Sequence, residues 1–201
     1  MRVKAVVFNL YNTLLHVIDP VNPYLGVARD LDPSIRKALD LRHAFMAEDR
    51  QFPELLEKLN LPQDDYVQQL EEELKRVVLF PDVNEVLSWL RRDGYMIGVI
   101  SNMASPYKRP YYELGLHNKV DIHLFSCETG IIKPNPRIYL RLLSGMDLRP
   151  EDAMMVGDDV RCDYHGPKAV GMDAVLLDRK GKRSIDNTIS SLAELPVMLS
   201  P

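Results

Sequence analysis

The sequence predicts an α/β protein, namely a doubly wound parallel sheet with a small all-helical segment inserted after its first strand. Short apolar runs alternate with longer amphipathic segments along most of the chain. The apolar runs are continuous rather than alternating, which is typical of strands buried on both faces. Helices of this length between strands imply right-handed crossovers, and such crossovers produce a parallel sheet.

The elements of this sheet can be predicted in order along the chain. Val3 to Leu10 is apolar except at Lys4 and Asn9 and predicts the first strand. Asp82, with Glu85 three residues later, predicts an N-cap, and the helix that it opens ends at Gly94. The remaining predicted strands are Met96 to Ile100, Ile122 to Phe125, Ala153 to Val156 and Ala174 to Leu177, and the remaining predicted helices are Asn135 to Leu143, His165 to Val170 and Ser190 to Leu199.

Residues 16–79 have a different pattern and contain no convincing strand. Asp32 followed by Pro33 is typical of an N-cap with proline at the first helical position. Apolar residues between Pro62 and Leu79 recur at helical spacing. The predicted domains are therefore a core of residues 1–15 and 80–201 and a helical insertion of residues 16–79.

Composition and charge exclude several classes of function. The chain has 201 residues, of which 46% are apolar and 27% charged, as in an ordinary globular protein. A formal net charge of -4 argues against a nucleic-acid partner, and no apolar run approaches the roughly 20 residues that span a bilayer. Two cysteines are too few for a disulfide framework, and no basic segment followed by an apolar stretch precedes the first strand. We therefore expect a cytoplasmic protein without nucleic-acid or membrane partners.

Polar side chains follow four of the apolar segments. The first strand is followed by Asn9, Tyr11 and Thr13, a later one by Ser101 and Asn102, and the loop "GIIKPNP" supplies Lys133; "GDDVRCD" supplies Asp158, Asp159 and Asp163. Ligands bind at the carboxyl ends of strands in open parallel sheets. A serine, a lysine and a backbone turn can hold a phosphate-like anion, and clustered carboxylates suit Mg²⁺. The sequence thus predicts an anion site beside a magnesium site.

These four segments resemble the motifs of the haloacid dehalogenase (HAD) superfamily, and the resemblance extends through nearly the whole chain. The family pattern is DxDx(T/V), then Ser or Thr, then Lys, then an acidic GDxxxxD or GDD. This chain has "NLYNT", "ISN", "IKPNP" and "GDDVRCD", and "LFPDVNEVLSWLRRDGYMIGVISN" resembles the family's helix and second strand. The resemblance implies a Rossmannoid core and makes the inserted helices a small cap that closes over substrate.

The first motif departs from the family pattern at both of its acidic positions. Asn9 stands where the resemblance implies the aspartate that attacks phosphorus, and an amide cannot perform that attack. Tyr11 stands where family phosphatases have the acid that protonates the leaving group. Tyrosine at that position is found in haloacid dehalogenases of the same superfamily, which generally lack the acidic metal motif that this chain keeps.

The resemblance also implies a role for each of the other site residues. The implied catalytic set is Asn9, Tyr11, Ser101 and Lys133; the implied substrate-binding set is Thr13, Ser101, Asn102 and Lys133; the implied Mg²⁺ ligands are Asn9, the Tyr11 carbonyl, Asp158, Asp159 and Asp163. Within the metal set, Asp158 is expected to bind the cation directly, and Asp159 or Asp163 to act through water or to orient Lys133. The implied partner is a small phosphorylated metabolite, and the expected assembly is a monomer or a homodimer.

Three functions remain open at this point. The first is a Mg²⁺-dependent phosphomonoester hydrolase impaired by Asn9 in place of the nucleophile. The second is a pseudoenzyme that binds a phosphorylated ligand without turnover. The third is a 2-haloacid dehalogenase, which would leave the acidic cluster unexplained. A purely structural role, in which Asn9 caps the strand and Asp158 serves a helix N-terminus, also remains an alternative.

Overall fold

The structure, a computed structural model, describes residues 3–183 and 185–200. Its strands are β1 Ala5–Phe8, β2 Leu15–Val17, β3 Val77–Leu79, β4 Met96–Ser101, β5 Ile122–Phe125, β6 Ala153–Gly157, β7 Asp173–Leu177 and β8 Thr188–Ile189. Its α-helices are α1 Pro23–Asp30, α2 Pro33–Ala38, α3 Leu41–Met46, α4 Phe52–Lys58, α5 Asp64–Leu74, α6 Val83–Arg92, α7 Arg109–Glu113, α8 Ser126–Thr129, α9 Pro136–Gly145, α10 Gly166–Lys168 and α11 Leu195–Leu199. A π-helical segment, Val160–His165, lies between β6 and α10.

Six of the described strands form one parallel sheet in the order β5-β4-β1-β6-β7-β8. β1 is central, and its Ala5 lies opposite Met96 of β4 and Ala153 of β6. All four residues of β1 are fully buried, as the continuous apolar run predicts. The predicted doubly wound parallel sheet is confirmed.

Alternate residues of β1 contribute to two hydrophobic clusters on opposite faces of the sheet. Val6 and Phe8 pack in the cluster that includes Leu87 of α6. Ala5 and Val7 pack in the cluster that includes α9. Since side chains of a strand point alternately to its two faces, helices cover both sides of the sheet.

A short antiparallel ribbon joins the sheet to the inserted segment. Leu15 of β2 pairs with Leu79 of β3, and Val17 pairs with Val77. The prediction of no strand within residues 16–79 is therefore wrong at both ends of that range, and the predicted helix that ran to Leu79 ends at Leu74. Three-residue strands are too short to display a period of two, whereas Val77 happened to continue the helical spacing.

Four of the five described helices between β2 and β3, all except α2, contribute to a hydrophobic cluster of their own. It contains Val27, Leu31, Phe45, Phe52, Leu55, Leu56, Leu59, Tyr66, Leu70 and Leu74. Asp32 caps α2 as predicted, because its carboxylate accepts a hydrogen bond from the Ser34 N–H. The division into core and cap remains a prediction, and its residues 1, 2, 184 and 201 lie outside the described range.

Asp82 occupies the N-cap position of α6, as the sequence predicted, but its side chain makes no capping hydrogen bond. Its carboxylate instead forms a two-fold hydrogen-bonded ion pair with Arg179, at 2.9 Å for each N···O pair. The same carboxylate accepts from Ser191 Oγ and from the Leu192 N–H. Asp82 therefore ties the start of α6 to the segment that leads into α11.

The other predicted elements agree with the structure except near the C-terminus. The helix predicted from His165 to Val170 begins earlier, as the π-helical segment, and ends as α10. The final helix is preceded by the unpredicted strand β8 and by a 3₁₀ turn, Leu192–Glu194. Among the residues that the structure describes, no helix has both the length and the apolar content needed to cross a membrane.

Candidate active site

The sheet brings the polar segments that follow β1, β4 and β6 to one edge. The strand order reverses between β1 and β6, which is where open parallel sheets form a ligand-binding crevice. A cavity of about 250 Å³ lies at this edge. It is lined by Asn9, Tyr11, Asn12, Arg42, Met46, Ser101, Asn102, Lys133, Asp158, Asp159, Cys162 and Asp163. Every predicted site residue except Thr13 therefore lines this cavity.

The side-chain amide of Asn9 connects the two halves of the cavity. Its Nδ2 donates to the Tyr11 carbonyl at 2.9 Å and to Asp158 Oδ1 at 2.8 Å. Its Oδ1 accepts from Lys133 Nζ at 3.1 Å. An ionised carboxylate could accept from the lysine but could not donate to Asp158, because it has no proton. The amide thus satisfies a neighbouring carboxylate in a way that the aspartate of the family pattern cannot.

Lys133 is a buried cation whose donors are all engaged. The residue is 2% exposed, and Nζ donates to Asp163 Oδ1 at 2.6 Å, to the Ile100 carbonyl at 2.9 Å and to Asn9 Oδ1. An ammonium has three N–H donors, so these partners use all of them. Lys133 therefore contributes positive charge to the cavity, whereas direct hydrogen bonds to a bound anion require other donors or a rearrangement around Asn9.

The three aspartates of the "GDDVRCD" segment have different environments. Asp163 is fully buried, pairs with Lys133, and accepts the Asp159 N–H at Oδ2 with a 3.0 Å bond. Asp159 is exposed and caps the π-helical segment by accepting the Cys162 N–H at 2.6 Å. Asp158 alone faces Asn9.

The pKa values of Asp158 and Asp159 are shifted in opposite directions. Burial raises the pKa of the Asp158 carboxyl, and the charge of Asp163 raises it further, although the hydrogen bond from Asn9 opposes both effects. Burial also raises the pKa of Asp159, but the N–H groups that it accepts outweigh that effect and hold its pKa below the ordinary value. Asp158 is therefore the carboxylate that gains most from a nearby cation.

Oxygen atoms suited to Mg²⁺ occur at one point of the cavity. Among the described residues, no group of three or more His, Cys, Asp or Glu is arranged to hold a metal ion. The Tyr11 carbonyl and Asp158 Oδ1 nevertheless both lie within 2.9 Å of Asn9 Nδ2. If the amide were turned over, its oxygen would join these two, and its Nδ2 would then face the Lys133 ammonium, which cannot accept a hydrogen bond from it. Mg²⁺ accepts such oxygens and usually keeps several waters, so the set fits this cation with a single negative charge.

The Tyr11 hydroxyl is not available for acid–base chemistry. It donates to the Tyr107 carbonyl at 3.0 Å, and the two rings meet edge to face with centroids 5.6 Å apart. Burial raises the pKa of Tyr11 far above its usual range, and the negative charge of Glu73 adds to this. The phenol is therefore neutral, and its proton is held by a carbonyl.

Ser101, Asn102 and Thr13 differ in what they offer to a ligand. Ser101 is 1% exposed and its hydroxyl has no hydrogen-bond partner among residues 3–183 and 185–200. Asn102 is committed to the Lys133 backbone, donating to its carbonyl at 3.0 Å and accepting its N–H at 2.7 Å. Thr13 is fully buried, with its hydroxyl 3.5 Å from Asp158 Oδ1. Ser101 thus has the free donor of this group.

Four lining residues were not predicted as site residues from the sequence: Asn12, Arg42, Met46 and Cys162. Arg42 at the start of α3 donates to the Lys133 carbonyl at 2.8 Å and lies 3.6 Å from Cys162 Sγ. Met46, at the end of the same helix, also lines the cavity. No sequence signal indicates which face of an inserted helix meets the core, so Arg42 and Met46 could not be placed. Cys162 lies inside the acidic motif, and burial raises its pKa to about 11, so it is a neutral thiol.

Comparisons with known proteins agree with the motifs. A family model described as haloacid dehalogenase-like hydrolase matches residues 3–171. A ribulose-1,5-bisphosphate 5-phosphatase of Halopiger xanaduensis is 33% identical over 141 residues, covering 63% of this chain and 59% of the relative. A phosphoglycolate phosphatase of Nitrosococcus oceani is 31% identical over 134 residues, again covering 63% and 59%. The chain thus spans about three fifths of the length of these curated relatives.

Solved structures match over almost the whole chain. The crystal structure of a HAD phosphatase from Thermococcus onnurineus has a TM-score of 0.72 and 26% identity, covering 98% of this chain and 97% of that one. A 2-haloacid dehalogenase from Pseudomonas syringae has a TM-score of 0.70 at 24% identity, covering 98% of each chain, and shares the fold. With its sheet topology, three of the four family motifs in order and the family match over residues 3–171, this chain belongs to the haloacid dehalogenase-like hydrolases.

Proposed function

We propose that this chain binds a small phosphorylated metabolite in the cavity at the ends of β1, β4 and β6, and that it hydrolyses the ester slowly or not at all. Membership of the haloacid dehalogenase-like family supports a hydrolase, and the two relatives described above are phosphatases by name. The helices between β2 and β3 act as the cap that closes over this ligand.

The arrangement around Asn9 carries the proposal. Lys133, Asp163 and Asp158 keep the charges expected around a phosphoryl group, whereas the atom that faces the cavity from position 9 belongs to a neutral amide. An amide oxygen is a poor nucleophile, and losing the nucleophile of a covalent mechanism costs on the order of 10⁶ in rate. This chain therefore keeps the charged groups that would bind a phosphoryl group but lacks the nucleophile that turnover needs.

Recognition of the phosphoryl group rests on Ser101 and on the charge of Lys133. The free Ser101 hydroxyl supplies a donor, and the Lys133 ammonium lines the same cavity as a positive charge that its ion pair with Asp163 partly neutralises. Mg²⁺ would be held by the Asn9 amide oxygen, the Tyr11 carbonyl and Asp158, and it would neutralise phosphoryl charge. We expect weak Mg²⁺ binding, because the set has one carboxylate and the amide must first give up its bond to Asp158.

The environment of Tyr11 favours a second candidate function, in which the protein binds the ligand without hydrolysing it. Its hydroxyl is held by Tyr107 and its pKa is raised, so the position that serves as acid and base in family phosphatases supplies neither function. Two catalytic groups, rather than one, would then be missing. The two candidates share the ligand and differ in whether a carboxylate at position 9 is enough to start the chemistry.

The first experiment tests the ligand. Tungstate or inorganic phosphate should raise the melting temperature of the parent protein by mass action. Ser101→Ala should lose about tenfold in anion affinity, as expected for one hydrogen bond to a charged group. Ser144→Ala, which removes an exposed helix serine, is the matched control and should bind like the parent. A parent protein that no such anion stabilises would overturn the proposal.

The second experiment tests the chemistry and separates the candidates. Asn9→Asp should hydrolyse p-nitrophenyl phosphate with Mg²⁺, or should accumulate one phosphoryl group that intact-protein mass spectrometry detects, because Tyr11 cannot activate water efficiently. If this variant binds tungstate but is neither active nor phosphorylated, the dedicated binding protein is the better description. Release of halide from a 2-haloacid by the same variant would instead favour the dehalogenase.

A further inference from the structure

We propose that the ligand's organic part is uncharged and apolar, of the size of an aromatic ring, and that it occupies a second cavity between the inserted helices and the core. This inference rests on the proposed function, since it assumes that the phosphoryl group binds beside Lys133. It adds the chemical class of the group that phosphate is attached to.

The second cavity has a volume of about 360 Å³ and mostly apolar walls. The side chains that define its character are Tyr11, Tyr24, Phe45, Met46, Met103 and Tyr107. An apolar cavity of about 150 Å³ is enough to hold benzene. The volume therefore admits one substituted ring or a branched aliphatic group.

The two cavities are neighbours with a common wall. Tyr11, Asn12, Met46 and Asn102 line both of them. A ligand whose phosphoryl group contacts Ser101 in the first cavity can therefore extend past these residues into the second. The ring of Tyr11 forms part of the shared wall, because its hydroxyl is anchored on the Tyr107 carbonyl.

The aromatic side of the second cavity is packed against neighbouring rings. The Tyr24 ring packs against Phe45, Phe52 and Tyr107, with centroid distances of 5.2, 4.4 and 5.9 Å. Aromatic pairs at such distances add to the stability that burial alone provides. A preformed apolar wall binds a ring without first paying for the ordering of its own side chains.

Charge in the second cavity disfavours anionic groups. Of the described residues that line it, Glu73 alone carries a charge. Its carboxylate is 2% exposed and accepts from the N–H groups of Val21 and Asn22, at 2.6 Å each, and from the Tyr107 hydroxyl at 2.5 Å. A carboxylate or second phosphate on the ligand would meet this negative charge, and none of the described residues that line the second cavity carries a positive charge to balance it.

A series of phosphonates tests the inference on the parent protein, because phosphonates cannot be hydrolysed. Calorimetric titration should give phenylphosphonate an affinity about tenfold or more above that of methylphosphonate, as expected for burial of one ring. Phosphonoacetate, whose carboxylate would enter the second cavity, should bind more weakly than methylphosphonate. Equal affinities for the phenyl and methyl compounds, or the tightest binding for phosphonoacetate, would overturn the inference. Failure of all three to bind would instead overturn the proposed function.

A substitution at the rim of the cavity tests the location. Leu25 lines the second cavity but is 68% exposed, so a larger side chain there can fill the opening without disturbing the core. Leu25→Trp should remove most of the preference for phenylphosphonate and leave methylphosphonate affinity unchanged. Leu140→Trp, at a 45% exposed leucine of α9 that is not among the lining residues, is the matched control and should keep the preference. An unchanged preference in Leu25→Trp would overturn the assignment to this cavity.

Discussion

Asn9→Asp should make the stability of this protein depend on divalent cations. In the parent, Asn9 Nδ2 donates to Asp158 Oδ1 at 2.8 Å, so the carboxylate is satisfied without a cation. In the variant an oxygen takes the place of that nitrogen. Two carboxylate oxygens would then face each other beside the Tyr11 carbonyl, and only a proton or a cation between them relieves the contact.

The size of the effect follows from three contacts. Repulsion between unit charges 2.8 Å apart is about 6 kcal/mol at an effective dielectric constant of 20. Attraction to Lys133 Nζ, 3.1 Å from the other oxygen, offsets about 5 kcal/mol of this. The two lost amide hydrogen bonds cost about 2 to 4 kcal/mol together. We therefore expect a net loss of about 3 to 5 kcal/mol without a cation, or roughly 6 to 20 °C in melting temperature for a chain of this size.

Thermal denaturation followed by circular dichroism, in EDTA and in Mg²⁺, measures the effect. At about one hundred times its dissociation constant, Mg²⁺ returns about 2.7 kcal/mol by mass action. The melting temperature of Asn9→Asp should therefore rise steeply with Mg²⁺, while that of the parent rises little. Asn60→Asp is the matched control, since it makes the same chemical change at an exposed residue outside the cavity and should show no such dependence.

One outcome would refute the reasoning. If Asn9→Asp melts in EDTA at the temperature of the parent and Mg²⁺ affects both proteins equally, then position 9 does not face Asp158 in the way described.

Two further predictions concern buried ion pairs. Lys133→Met should lower the free energy of unfolding by about 3 to 5 kcal/mol in urea titrations, because it leaves the carboxylate of Asp163 buried without its cation. Adding Asp163→Leu to this variant should recover part of the loss. A Lys133→Met protein as stable as the parent would contradict the prediction. Burial raises the pKa of Asp82, but the hydrogen bonds from Arg179 and its other donors outweigh this and hold the pKa below its ordinary value of 3.8. The stabilisation by Asp82 is thus complete above about pH 4 and is lost as pH falls through the lowered pKa. The difference in unfolding free energy between the parent and Asp82→Asn should therefore narrow below pH 4. A difference that stays constant with pH would exclude the ion pair as its cause.

The main sheet could be predicted because each of its long strands is buried on both faces. Continuous apolar runs such as that of β1 are a strong signal, and the parallel order follows from the helices between them. The positions of Asn9, Ser101 and Asp158 followed from the same reasoning, since the carboxyl ends of neighbouring parallel strands share one edge.

The errors in prediction have a common physical origin in contacts between distant segments. Asp82 has the sequence of a helix cap, but Arg179 and Ser191 offer its carboxylate stronger partners from the other end of the chain. β3 is defined by its pairing with β2 rather than by its own residues. The sequence likewise does not show that the N–H donors of Lys133 are already engaged, because two of their partners, the Ile100 carbonyl and Asp163, meet the ammonium only in the folded structure.

The β2–β3 ribbon brings together the two ends of the segment that contains the inserted helices. Because Leu15 pairs with Leu79, the chain leaves the core and returns to it at adjacent points. The sheet therefore places no requirement on the length of the segment between them, and the entropy of closing that loop grows only slowly with its length. A tight two-residue turn across β2 and β3 would connect them equally well. Such a shortened chain would keep Asn9, Lys133 and Asp158 in register while opening their cavity to much larger molecules.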